Sequence, residues 1–133
     1  MKVYNIYKND EPKLGEFSDA RGGITDIFYG KNINHACLIS NTPGAIRGNH
    51  YHEHTTQYTY VLSGSLTYYS KSIDSTTLSI YNAVIGDVII SEPYEIHAMK
   101  AGDDGCLFIA YAEGPRGGED YETDTIRTDN IIV

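Results

Sequence analysis

Five histidines stand in this chain, at 35, 50, 52, 54 and 97, and three of them crowd into the run Asn-His-Tyr-His-Glu-His at 49–54. Alternate residues of a β-strand project to one face, so His50 and His52 should point together, about 6–7 Å apart along the strand. That spacing lets two imidazoles converge on one metal ion or one substrate. His54 shares their parity but falls beyond the predicted strand end, and it is expected to be the outlier. Gln57 has the opposite parity and joins the same face only if the chain bends between His52 and Gln57. His97 lies far along the sequence, in a segment able to pair alongside. Three imidazoles and an oxygen donor make a site for Zn, Fe, Mn, Ni or Co. Without an ion, the same imidazoles suit proton transfer, because His titrates nearest physiological pH. The competing reading is a set of surface histidines beside a loop.

The elements that must hold these residues are read as strands. The chain has 133 residues, the size of one domain, with 12 Tyr, 13 Gly and no Trp. No stretch of ten or more residues carries the 3.6 period of a helix. Short apolar runs recur instead about every ten residues: 24–30, 33–40, 57–64, 65–70, 76–84, 86–91, 95–101 and 105–113. Gly-rich turns separate several of them. Ser63-Gly64 reads as a tight hairpin and Gly102–Gly105 as another turn. The pattern predicts an all-β sandwich or barrel over about residues 24–113. Residues 1–23, with Pro12, read as polar and irregular. Gly114–Gly118 reads as a loop, and the acidic run at 119–124 as part of a solvated polar tail.

Charge and composition exclude several classes. Lys and Arg number 10 against 18 Asp and Glu, a net charge of -8. Nucleic acids and anionic membranes want clustered cations, so neither is an expected partner. No apolar run approaches the roughly 20 residues of a membrane span, and the N-terminus lacks a signal-peptide core. Cys37 and Cys106, each inside an apolar run, are expected to be buried thiols in a reducing cytoplasm.

The motif around the histidines carries a family resemblance. Gly44, five residues, His50, Tyr51, His52, four residues, Gln57, six residues and Gly64 resemble the first cupin motif, with Gln57 where Glu is usual. Gly86, Pro93 and His97 resemble the second, with Pro one residue late, Glu95 at the Gly position, His one residue early and the closing Asn absent. The run Pro43-Gly44-Ala45-Ile46-Arg47-Gly48-Asn49-His50-Tyr51-His52 is similar to two narrower groups. These are the dTDP-4-keto-6-deoxyglucose 3,4-ketoisomerases and the cupin domains of capsular-polysaccharide reductase/epimerases, both allied to dTDP-4-dehydrorhamnose 3,5-epimerase.

The resemblance implies a single-domain cupin jelly-roll barrel with the site inside, commonly a homodimer. It implies an enzyme that epimerises or isomerises a nucleotide-linked keto-sugar, with Arg47 on the phosphates. The 3,4-ketoisomerases use their histidines without metal and usually lack a second-motif His, whereas the capsular epimerase domains carry metal. Removing a proton beside a ketone needs a base, a donor to the enolate oxygen and a proton source. His50 or His52 suits the base in a metal-free site. With Zn, Fe, Mn or Ni on His50, His52, Gln57 and His97, the base must come from elsewhere. Tyr60, Tyr68 and Tyr111 are the candidates, on predicted barrel strands. Gln57 doubles as a substrate-binding group, and Arg21 and Lys71 are secondary cations from flanking loops. Two other functions share the fold: a metal-dependent oxygenase or lyase on a small organic acid, and a non-catalytic sugar- or metabolite-binding cupin.

Overall fold

The computed structural model describes residues 1–8, 15–115, 118–120 and 122–133. Its strands are β1 (Lys2–Asn5), β2 (Glu16–Asp19), β3 (Gly22–Thr25), β4 (His35–Asn41), β5 (Ile46–Tyr51), β6 (Thr56–Ser72), β7 (Ser79–Ala83), β8 (Asp87–Ser91), β9 (Glu95–Glu113) and β10 (Ile126–Arg127). One 3-10 turn, Gly118–Asp120, precedes β10. There is no α-helix among the described residues, and none of their helices is long and apolar enough to cross a membrane.

Two long strands organise the molecule. β6 and β9 run antiparallel along their whole length, from Thr56 opposite Glu113 to Ser72 opposite Glu95. The first half of β6 pairs with β8, which pairs with β1, while the second half of β9 pairs with β4. The other halves pair with β7 and with β5, and β5 pairs with β10. The result is two half-sheets that share a spine and face each other. The sheet path from β1 to β10 is not closed by any further pairing among the described residues.

This corrects two turn expectations. Ser63-Gly64 and Gly102–Gly105 are not hairpin turns but bends inside continuous strands. The register of β6 against β9 slips between Val61 and Ser63 and again between Gly64 and Leu66. Gly64 (φ 74°) and Gly105 (φ 73°) meet there, and a Cβ on Gly64 would lie 2.1 Å from the Gly105 carbonyl oxygen. Local sequence marks such a glycine pair as flexible chain; only the pairing of two strands about 40 residues apart turns it into a shared corner.

One core fills the space between the half-sheets, with Val61, Leu66, Tyr68, Ile89, Met99 and Phe108 among its members. A second lies on the outer face of the first half-sheet, around Tyr4, Tyr58, Tyr60 and Val88. The segment 26–34, predicted in part as strand, is irregular after β3 and covers this second core. Phe28 meets the Tyr58 and Tyr111 rings edge-on at 5.1 and 4.8 Å. Residues 1–23, expected to be irregular, contribute β1 and most of the β2–β3 hairpin. Pro12, Arg116, Gly117 and Tyr121 lie outside the described residues.

Candidate active site

The site begins with a distortion of β5. Gly48 (φ 92°) and Asn49 (φ 58°) are both left-handed, and the pairing with β9 slips between Gly48 and His50. A Cβ on Gly48 would lie 2.6 Å from the His97 carbonyl oxygen, so only glycine lets the two backbones approach this closely. Past the bulge, His50 stands directly opposite His97 in the ladder. β5 ends at Tyr51, and His52 opens a short loop.

That loop is held by Asp124. Its carboxylate accepts the backbone N–H of Glu53 (2.8 Å) and His54 (2.9 Å) and the Thr55 hydroxyl (2.7 Å). Burial by itself would raise the Asp124 carboxyl. The hydrogen bonds from Thr55, Glu53 and His54, with the neighbouring His52, outweigh it and hold the group below the usual carboxylate range. The Asp124 carbonyl oxygen lies 2.6 Å from His52 Nδ1. A carbonyl only accepts, so Nδ1 carries a proton and the neutral ring presents its lone pair from Nε2. Asp124, read in the sequence as solvated, is buried. Its position in an acidic run hides this, because only the folded tail brings it against residues 52–55.

The three predicted imidazoles converge. His50, His52 and His97 are buried, with ring centroids 4.7–5.3 Å apart and nitrogens within 4.8 Å of one another. Gln57 joins them through the bend that its parity demanded. Its Nε2 donates to Thr59 Oγ1 at 3.1 Å, while its Oε1 is buried with no hydrogen-bond partner. An orphaned carbonyl oxygen beside three imidazoles is a donor set that fits a first-row divalent ion. Tyr68 stacks on His97 at 6.1 Å, and its hydroxyl shares a short hydrogen bond with Ser91. A cavity of about 290 Å³ opens above the cluster, lined in part by Arg47, His50, Gln57, His97, Met99 and Arg127.

The structure does not bring every predicted residue here. Tyr60 and Tyr111 pack in the second core, on the opposite face of the first half-sheet from the histidines. Burial there pushes the Tyr60 hydroxyl up to about 12. Tyr60 and Tyr68 are eight residues apart and would share a face on a regular strand, but the slips around Gly64 lie between them. His54 is exposed, as expected, and His35 sits on β4 opposite Ala112. Arg47 reaches the cavity from the near side of the β5 bulge. Its Nε donates to Asn41 Oδ1 (2.6 Å) and an Nη to the Ser40 carbonyl (3.1 Å), using two of five N–H donors. Arg21 instead pairs with Asp19 at the β2–β3 turn (2.6 Å), and Lys71 lines a different hollow. Arg127, not singled out in the sequence, reaches the cavity from β10.

Comparison with known proteins places this geometry. The family model described as the polysaccharide biosynthesis C-terminal domain matches residues 17–111. No curated protein matches the chain in sequence. Among solved structures, a sugar 3,4-ketoisomerase from Thermoanaerobacterium thermosaccharolyticum, in complex with TDP, superposes with a TM-score of 0.69 at 23% identity. The match covers 96% of this chain and 88% of that one. A capsular polysaccharide assembling protein from Staphylococcus aureus gives 0.67 at 18% identity over 89% of this chain, which spans only 33% of that protein. A dTDP-4-dehydrorhamnose 3,5-epimerase from Sulfolobus tokodaii gives 0.67 at 15% identity, covering 83% and 70% of the two chains. The shared architecture is the antiparallel cupin jelly roll.

Proposed function

Because the chain belongs to the polysaccharide biosynthesis C-terminal domain family, we propose that it moves a proton on a nucleotide-linked keto-sugar, by epimerisation or keto isomerisation. The observation that carries this reading is the convergence of His50, His52 and His97 beneath a cavity that Arg47 also lines. In this reading the sugar enters the cavity and Arg47 takes a phosphate, matching its oxygens with a planar fork. His50, which lines the cavity, removes the proton next to the ketone. The enolate oxygen then needs a donor, and a ring N–H of His97, which also lines the cavity, takes that role. Returning the proton to the same carbon's other face, or to the adjacent carbon, gives the epimer or the isomer. Tyr68 is 0% exposed and acts through His97 as a positioning residue, with Ser91 fixing its hydroxyl.

His50, His52, His97 and the Gln57 carbonyl oxygen are the residues that would hold a divalent ion of the Zn, Fe, Mn or Ni kind. Bound there, such an ion would polarise the substrate carbonyl; it would also occupy the His50 lone pair, so His50 serves as the base only in the ion-free site. We extend the proposal to a reducing, cytoplasmic setting, which suits the Cys37 and Cys106 thiols. It extends also to a homodimer. The β2–β3 hairpin stands outside the main sheet, and it exposes a facing apolar pair, Phe17 and Ile24.

The test is solvent deuterium wash-in with TDP-4-keto-6-deoxyglucose, the ligand of a mutant form of the Thermoanaerobacterium ketoisomerase. Deuterium should appear at the carbon beside the ketone, and His50→Asn should abolish it. Tight binding of the keto-sugar without exchange in the unaltered protein would replace the enzyme with a binding cupin.

A further inference from the structure

The C-terminal segment supplies a wall of the cavity that the family match, ending at residue 111, does not include. β10 adds to the free edge of β5, with Arg127 directly opposite His50. The Thr128 N–H donates to the Asn49 carbonyl at 2.8 Å, and the Ile131 N–H to Asn49 Oδ1 at 2.9 Å, so the segment is fixed to the bulge residue itself. Residues directly opposite on neighbouring antiparallel strands project to the same face. Since His50 points into the cavity, Arg127 does too, and both it and Arg47 line that cavity. Arg127 is 62% exposed, so its charge stays hydrated, and its guanidinium rests on Glu122 at 2.8 and 3.1 Å. An exposed pair of this kind is weak and is readily exchanged for a better anion. In a chain of net charge -8, two arginines lining one cavity call for an anion with two charged centres.

Resting on the proposed nucleotide-sugar reading, we infer that Arg127 is the second arm of a two-arginine clamp for a diphosphate, with Arg47 as the first. Glu122 parks the Arg127 guanidinium until the diphosphate displaces it. Each phosphoryl group then has one planar, charged donor, and the clamp selects diphosphates over nucleosides.

Calorimetric titration with inorganic pyrophosphate, TDP and thymidine tests this on the full chain. Arg127→Ala should weaken pyrophosphate and TDP about tenfold or more, as for loss of a charged hydrogen-bonding partner. Arg127→Lys should recover part of the loss, and Glu122→Gln should tighten both ligands. An unchanged melting temperature in Arg127→Ala shows that the effect is local. TDP and pyrophosphate binding within twofold of the unaltered protein overturns the clamp while leaving the proposed function standing. Arg127-dependent pyrophosphate binding without any TDP binding supports the clamp and removes the nucleotide reading. Binding of neither ligand by the unaltered protein overturns both.

Discussion

At the scale of residues, the site separates groups that contact a ligand from groups that place them. Arg47→Ala should weaken nucleotide-diphosphate binding by about 1.5–3 kcal/mol, the worth of a charged hydrogen bond, and His50→Asn should mainly lower turnover. Equilibrium titration and steady-state kinetics separate the two effects. Asp124 is of the second kind. It never faces the cavity, yet it ties three donors of the 52–55 loop and, through its carbonyl, orients His52. Asp124→Ala should destabilise the fold by about 2–3 kcal/mol. The Thr55 hydroxyl is left buried, while the Glu53 and His54 N–H groups regain water. Chemical denaturation measures the loss. The same variant should lower turnover more than ligand affinity, because it loosens an imidazole and leaves both arginines in place.

At the scale of elements, glycine positions show which backbone approaches the architecture depends on. Gly44 and Gly64 have the same left-handed φ of 74°, but a Cβ on Gly44 meets nothing within 4 Å while one on Gly64 strikes the Gly105 carbonyl. Gly44→Ala should therefore cost only the backbone strain, about 1–2 kcal/mol. Gly64→Ala should cost clearly more, because the β6–β9 corner must open, and paired urea midpoints give the difference. The cover over the second core has its own pH signature. Glu113 accepts a short hydrogen bond from the Tyr58 hydroxyl and the Asn32 N–H at 2.9 Å. The Tyr58 bond is the largest influence, and with the Asn32 N–H and Lys31 it outweighs burial and holds the carboxyl below its usual range. A carboxyl depressed in the folded state stabilises above its unfolded value, about 4.3, and that contribution is lost as pH falls through the folded value. The melting-temperature gap between the unaltered protein and Glu113→Gln should be widest near neutrality and shrink towards pH 3.

At the scale of the whole molecule, the described residues of this acidic chain bring two arginines and the buried histidines together at one cavity. Arginines line it, and below them three imidazoles and a carbonyl oxygen form a neutral donor set. Neutral nitrogens favour first-row ions over Mg or Ca. Elemental analysis of protein prepared without added metal should find a first-row divalent ion, and its removal by a chelator should change activity. Well under one equivalent, with activity indifferent to chelation, would leave the imidazoles to proton transfer alone.

The sequence by itself determined the all-β class, the His50–His52 pair with its distant partner His97, and Arg47 beside them. Those features are local: a period of two, a fixed spacing within one motif, and side chains whose chemistry is recognisable without neighbours. Gln57 was legible as a member of the cluster only on condition of a bend, which the 52–55 loop supplies. Three things were decided by tertiary structure alone. Gly64 and Gly105 carry turn signals but become one shared corner, because long antiparallel pairing overrides local preference. Tyr60 and Tyr68 have equal parity but end on opposite sides, because the slip between Val61 and Ser63 inserts one extra residue in β6 between them. Asp124 and Arg127 sit in a polar tail with no periodic signal. They become part of the site only when that tail folds back, as β10 pairs with β5 and Asp124 binds the loop beyond it, and no local pattern encodes where a chain end will dock.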